Sequence, residues 1–437
     1  MTQQSDFLRA EQTETFDIAV VGAGPAGMAA AAAAARAGRR VVVLDQGFGA
    51  GGQIWRHAPG TLPVADARPW MERLGSSTAV RRFHTSVVDL RCTDAGFVLD
   101  AEQGSSPYRV QAARVILATG ARELLLPFPG WTLPGVMGVG GAQALLKMGT
   151  PMAGKRVIIA GSGPLLLPVA ASLVKAGARL LLVAEQADFG VVARFGASLW
   201  RRPALLAKAA KYRAGFLGSR YATGTWVRSA EGTAHLQRVD ITDGRRTETL
   251  ECDLLCVGHG LVPSTELARV AGCAVAGGKV VVSESQEASV AGVYCAGEPT
   301  GIGGADLALI EGEIAGLWAA GRGADAGRLY AERAALRRAA VAMEQAFAPR
   351  AELRDVCTSD TTICRCEDVP RSAIDPSWSS RQAKLYTRAG MGPCQGRVCG
   401  AAFEFLFGWA PDTVRPPIEP VLLSTLVAAA PSEAAHP

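Results

Sequence analysis

One pattern occurs twice in this chain and fixes most of what it can become: an apolar strand runs into a glycine turn and leaves it as an apolar helix. The first copy is Phe16-Asp-Ile-Ala-Val-Val-Gly-Ala-Gly-Pro-Ala-Gly-Met, followed after Gly38 by a second strand, Val41 to Asp45. The second copy starts at Lys155 as Arg-Val-Ile-Ile-Ala-Gly-Ser-Gly-Pro-Leu, with a helix to Lys175 and a strand from Leu180 to Glu185. Each is a βαβ unit, and two of them about 140 residues apart predict two doubly wound α/β domains. Ile18 to Ala35 and Val157 to Val174 are uncharged runs of 18 residues, long enough to suggest membrane spans. Their glycines, prolines and small alanine-rich bodies instead read as strand, turn and helix.

The first copy carries Gly22-x-Gly24-x-x-Gly27, with Asp45 placed 23 residues after the first glycine. Gly22 permits the tight turn, Gly24 lets backbone approach a pyrophosphate, and Gly27 allows close helix–strand contact. Pro25 and Ala26 open the helix, whose N-terminal N–H groups favour phosphate. Asp45, with Gln46 beside it, is placed to accept from a ribose hydroxyl and would repel a 2′-phosphate. Gly51-Gly52-Gln53, Ala118-Thr119-Gly120 and the late Gly297-Glu298 pair together resemble the FAD domain of two-dinucleotide flavoproteins of the thioredoxin-reductase and glutathione-reductase type. That resemblance implies bound FAD, with Glu298 standing where the family has an aspartate against the ribityl chain. The redox-active cysteine pair of that family is absent from the first 350 residues, which excludes a disulfide reductase.

The second copy reads Gly161-Ser-Gly163-Pro-Leu-Leu166, with leucine in place of the third glycine and Glu185 as the acid. Two readings stand: a second nucleotide bound for structure or regulation, or a retained but empty fold. Further strands ending in glycine, Arg114 to Gly120, Cys252 to Gly260 and Gly292 to Gly297, place the second unit inside the first. The expected layout is 14–150 for the first part of the FAD domain and 151–260 for an inserted NAD(P)-like domain. The FAD domain resumes over 261–325, a linker helix covers 326–354, a cysteine module 355–413 and a tail 414–437. The tail's Arg415-Pro-Pro-Ile-Glu-Pro predicts an extended strip packed on the body.

Of the 10 cysteines, Cys357, Cys364, Cys366, Cys394 and Cys399 crowd into about 40 residues, a metal-site pattern rather than a disulfide framework. Cys364-Arg-Cys366, then 27 residues, then Cys394-Gln-Gly-Arg-Val-Cys399 offers four thiolates for a [2Fe-2S] cluster or a zinc ion. One residue between paired cysteines fits zinc poorly. Arg365, Lys384, Arg388 and Arg397 supply positive charge around the set. Cys357 is either a spare thiol or a small core residue.

Thr362-Ile-Cys-Arg-Cys-Glu and Thr387-Arg-Ala-Gly-Met-Gly-Pro-Cys-Gln-Gly-Arg-Val-Cys resemble the bacterioferritin-associated-ferredoxin-like [2Fe-2S] domain. With Ala296-Gly-Glu-Pro-Thr-Gly-Ile-Gly-Gly-Ala-Asp and the proline-rich tail, nearly the whole chain resembles the α subunits of opine oxidases/dehydrogenases and D-hydroxyproline dehydrogenases. The FAD subunit of bacterial hydrogen cyanide synthase is similar. The resemblance implies Cys364, Cys366, Cys394 and Cys399 as cluster ligands. It also implies a separate FAD-containing amine-oxidase-like β subunit; a small ferredoxin-like γ subunit is a further candidate. Such a chain passes electrons between the β-subunit flavin, its own FAD and the cluster towards a quinone- or dye-type acceptor. The competing expectations are a self-contained NAD(P)H:acceptor oxidoreductase, a glycine-oxidising hydrogen cyanide synthase subunit, and a nucleotide-binding scaffold holding zinc.

A net charge of +5 on 437 residues points to neither nucleic acid nor an anionic membrane surface. Met1 to Glu14 lacks the layout of a secretory signal, so the expected location is the cytoplasm, with peripheral contact to the inner membrane left open. No residue is assigned a catalytic role: His259, in a strand-end loop, reads as a satisfied structural residue. The basic stretch Arg194 to Arg220, with Trp200, Tyr212 and Phe216 interleaved, reads as a partner-facing or solvated helix.

Overall fold

A computed structural model describes residues 13–61, 63–410 and 414–429. The N-terminal segment read for a secretory signal lies outside the described residues as far as Gln12, as do residues 430–437 of the tail. The chain forms two compact units. One contains Met1–Arg122, Pro263–Ala340 and Thr413–Pro437, and the other Glu123–Val262 and Val341–Asp412.

The first unit is built on a seven-stranded sheet. Strand Glu14–Val21 lies between Val41–Leu44 and Ser106–Leu117, parallel to both, because each of its last four residues is fully apolar and must be covered on both faces. The strand Ser106–Leu117 is long enough to serve two partners. Its first half pairs antiparallel with Gly96–Gln103, and Val115–Leu117 receives the late strand Val293–Cys295 in parallel. Both ends of this unit's chain therefore meet on one strand.

The helix Pro25–Arg36 is buried almost all round, which its alanines allow because they demand no room. It lies against the helix Gly304–Ala319. A β-carbon on Gly312 or Gly316 would overlap the carbonyl oxygens of Ala26 and Ala30, so this small-residue seam sets the distance between the two helices. The first uncharged run is thus a strand and a helix inside the core. The tail packs on the antiparallel strands: Ile418 N–H donates to Val88 O at 3.0 Å and Thr425 Oγ1 to Glu102 at 2.7 Å. Beyond its prolines the tail is not extended; Leu423–Ala429 is a short helix.

The second unit has a five-stranded parallel sheet in the order Arg220–Thr223, Arg179–Glu185, Arg156–Gly161, Leu254–Gly258, Val136–Gly138. Because Val136–Gly138 joins this sheet, the division falls at Arg122/Glu123 and not after residue 150. An antiparallel meander, Trp226–Glu231, Arg238–Thr242 and Thr247–Glu251, follows the sheet. The linker is a helix over Tyr330–Ala346. The cysteine module is part of this second unit, where Trp131 Nε1 donates to Thr362 O at 2.6 Å.

Candidate cofactor sites

In the first unit the strand Glu14–Val21 delivers Gly22 into a positive φ of 103°, where a side chain would strike the Ala118 carbonyl. A β-carbon on Gly27 would overlap the Gly22 carbonyl, so the helix can start only three residues after the turn's first glycine. No side chain caps this helix and no acid stands in its first turn, which leaves its N–H groups to a ligand. Pro25 is its first residue, where the missing N–H costs nothing. Gly24 and Gly52 approach backbone to backbone, with a Gly52 β-carbon falling 3.0 Å from Gly24 Cα. Asp45 directly follows the neighbouring strand Val41–Leu44, and its carboxylate accepts from Ala23 N–H at 2.5 Å and Gly47 N–H at 2.7 Å. Gln46 and Gln53 are exposed beside it.

Gly297 and Glu298 come to this turn from the other part of the unit: a β-carbon on Gly297 would lie 2.9 Å from Ala26 Cβ. Glu298 Oε1 accepts from Gly304 N–H at 3.1 Å, while Oε2 is buried with no partner among the described residues. Burial pushes this carboxyl up to about 7 against the pull of the Gly304 N–H, and the charge of Glu311 adds to the rise. A buried carboxylate oxygen without a partner is costly unless a ligand hydroxyl meets it. The glycine cradle, the ribose-side acid and this oxygen fit FAD. Thr119 and Gly120 are used differently: Thr119 Oγ1 donates to Ser264 O at 2.7 Å, and Gly120 O accepts from Ser264 N–H.

The second turn is built otherwise. Its helix starts at Leu166, five residues after Gly161, and Leu166 itself is buried in the core with 1% exposure. The leucine therefore does not interrupt a close approach; the longer turn carries it inside. Glu185 accepts from Gly163 N–H at 2.7 Å and Ala187 N–H at 2.9 Å, and burial pushes it up to about 7. Gly161, Gly163 and Glu185 are thus brought together, along with Gln186, a buried residue the sequence did not single out.

In the cysteine module, a hairpin of Thr362–Cys364 and Val369–Pro370 presents Cys364 and Cys366, and the helix Cys399–Phe407 begins on the last ligand candidate. Cys399 lies within hydrogen-bond reach of Cys364 and of Cys394, and Cys366 of Cys394. Gly392 permits the closure, since a β-carbon there would overlap Cys366 Cβ. Gly390 N–H donates to Cys364 Sγ at 3.4 Å. Donation from the Cys399 thiol lowers Cys364 and Cys394, and the same sharing raises Cys399. The four sulfurs and their N–H donors fit an iron–sulfur centre as a donor set. Their contacts run pairwise, and among the described residues no group of three or more His, Cys, Asp or Glu side chains is placed to hold a single metal ion. Of the surrounding cations, Arg388 is engaged with Glu367 at 2.9 Å, while Arg365 and Lys384 are exposed. Cys357 packs against the module's apolar core.

Two other expectations shift, and one buried acid is new. His259 is buried, but its Nδ1 has no partner among the described residues, so it is not a satisfied residue; burial holds the ring neutral by lowering it to about 4. Phe216, read as part of a basic and aromatic surface, is a core residue at 2% exposure, whereas Trp200 is 68% exposed. Glu311 was not singled out at all. Buried at 1% exposure, it accepts from Gly297 N–H and Thr300 Oγ1 at 3.0 Å each and from Arg337 at 2.8 Å. An acid in the middle of an apolar helix was the signal, because such a group stays buried only when paired.

Residues 16–346 match the model of the pyridine nucleotide-disulphide oxidoreductase family. The chain is 33% identical to the A subunit of opine oxidase from Rhizobium meliloti (strain 1021), over 93% of this chain and 97% of that one. It is 32% identical to hydrogen cyanide synthase subunit HcnB of Pseudomonas aeruginosa, over 87% and 90% respectively. The solved L-proline dehydrogenase from P. horikoshii superposes with a TM-score of 0.69 at 22% identity, covering 95% of this chain and 80% of that one, a likeness of fold. Among the described residues no helix is long and apolar enough to cross a membrane.

Proposed function

We propose a function from the premise that this chain belongs to the pyridine nucleotide-disulphide oxidoreductase family, in the group of HcnB and the opine oxidase A subunits, and is a flavin oxidoreductase. It is the electron-transfer subunit of a multi-subunit, FAD-dependent amine or amino-acid dehydrogenase that works in the cytoplasm. The observation that carries this reading is the pairwise approach of Cys364 to Cys399, Cys399 to Cys394 and Cys394 to Cys366, from stretches 27 residues apart, in the same chain as an FAD-type cradle.

FAD, when bound, exchanges a hydride or single electrons, and a [2Fe-2S] cluster exchanges single electrons. Gly22 to Gly27 would take the pyrophosphate, Asp45 the ribose and Glu298 Oε2 a ribityl hydroxyl. With its carboxyl at about 7, Glu298 is part protonated at neutral pH and can donate as well as accept there. Donation from the Cys399 thiol first, and from backbone N–H groups after it, lowers Cys364 and Cys394 towards the thiolate form that metal ligation needs. Removal of hydride from the substrate's C–N bond belongs to a separate FAD-containing β subunit; a small ferredoxin-like γ subunit is a further partner, and the acceptor is of quinone or dye type. Names of relatives that are subunits support this division of labour.

The test is iron, sulfide and flavin analysis with anaerobic absorbance and EPR, on the chain alone and co-expressed with its oxidase-like partner. Two irons per chain, lost in Cys399→Ser while FAD stays, and reduction by amine only with the partner, are expected. Zinc without iron sinks the cluster, and flavin bleaching by NADH alone sinks the relay.

A further inference from the structure

A dinucleotide seated in the second fold would ask three things of the turn at Gly161 to Gly163: free N–H groups, the Ser162 hydroxyl for a phosphate oxygen, and the open side of Gly163. All three are taken by the protein itself. Gly163 N–H donates to Glu185. Ser162 Oγ donates at 2.8 Å to the carbonyl of Phe347. The Phe347 ring covers Gly163, 3.4 Å from the place of a β-carbon, and is held edge-on by Phe195 with centroids 5.0 Å apart.

The covering segment is fastened along its length. Buried Gln186 donates to Ser162 Oγ and to Ala348 O, each at 2.9 Å, and its Oε1 accepts from Arg350 N–H at 2.9 Å. Arg350 then donates to Gln186 O at 3.1 Å and lies over the Trp226 ring, 4.2 Å from its centroid. A second anion-friendly position in this unit is filled in the same way: Glu123 accepts from Gly140 and Gly141 N–H, at 2.6 and 3.1 Å, at the start of the helix Val139–Lys147.

We propose that the phosphate turn of the second fold is a docking site for the chain's own segment Phe347–Arg350. The fold thereby serves as the platform that seats the cysteine module, not as a coenzyme site. The peptide carbonyl replaces a phosphate oxygen and the phenyl ring occupies the approach that Gly163 keeps open. Because the segment is tethered, it competes at an effective concentration on the order of millimolar. Nicotinamide nucleotides are the ligands it displaces.

The experiment is calorimetric titration of the FAD-loaded full chain with NADH, beside the double variant Phe347→Gly, Arg350→Ser. Wild type should show no saturable binding, and the variant should gain affinity by at least about tenfold. Saturable binding by wild type that Gly161→Val abolishes overturns the proposal, and so does a double variant that binds no better than wild type. Hydrogen exchange reads the same contact without any substitution: the Arg350 amide should be protected, and exchange at the rate of an open loop overturns it. These results are independent of iron content and of the partner, on which the relay reading rests.

Discussion

The two glycine turns of this chain are written in nearly the same residues and are surrounded differently. At Gly22 the helix starts three residues on, and its first turn meets neither a capping side chain nor an acid. At Gly161 the helix starts five residues on, and a phenyl ring from residue 347 lies across the turn. Both acids, Asp45 and Glu185, accept from the backbone N–H of their own loops. The difference therefore does not lie in the acids, nor in the missing third glycine alone. It lies also in what the rest of the chain lays over each turn, and a glycine motif read alone predicts geometry without predicting occupancy.

That contrast is easiest to break at Gly27. Gly27→Val puts atoms onto the Gly22 carbonyl, which neither strand nor helix can vacate. The first unit should lose about 3 kcal/mol or more, with flavin content near zero by the flavin-to-protein absorbance ratio. A variant that keeps its FAD would show that the first cradle is as expendable as the second.

The acids give a smaller, pH-resolved difference. Glu298 and Glu185 are both raised from 4.5 to about 7, so across that window the folded chain binds more protons than the unfolded one. Their contribution is full below about 4.5 and is lost as pH rises through about 7, so stability from these groups falls with rising pH. Urea midpoints measured against pH on the flavin-free chain should show this slope, and Glu298→Gln should flatten it. Adding FAD should change the Glu298 part of the slope and leave the Glu185 part, exposed by Glu185→Gln, where it was.

The smallest effect is expected at the second turn. Gly163→Ala meets Phe347 at an ordinary 3.4 Å but must hold a positive φ of 90°. A cost of about 1 kcal/mol in urea unfolding, with FAD content unchanged, is the expected outcome. Loss of FAD there would merge the two sites that the comparison separates.

What could be read in advance follows from how far apart the contributing residues lie. Gly22, Gly24, Gly27 and Asp45 act within one βαβ unit, so strand, turn and acid stand in order along the chain. The cysteine set is likewise compact. Phe347 lies 185 residues from Ser162, and no local pattern links an alanine-rich linker to a distant glycine turn. Leu166 was legible as a departure but not in its effect, because the added turn length that absorbs it is a property of the backbone. Gln186 follows the acid of its strand directly, and its burial depends on the same distant segment. The unit boundary at residue 123 was missed for a related reason: the short strand Val136–Gly138 follows a proline- and glycine-rich loop, and only its pairing with Leu254–Gly258 assigns it.

Glu311 ties two things that the sequence keeps apart. One carboxylate oxygen holds the Gly297 amide and Thr300, in the turn that carries Glu298, while the other holds Arg337 on the helix Tyr330–Ala346. Gln286 makes a second tie between the same two parts, accepting from Arg337 at 2.8 Å and donating to Cys295 O at 3.0 Å. The Gly297 turn and the helix Tyr330–Ala346 thus share a buried anion, and neither can shed its bond to Glu311 without leaving a buried carboxylate oxygen short of a donor.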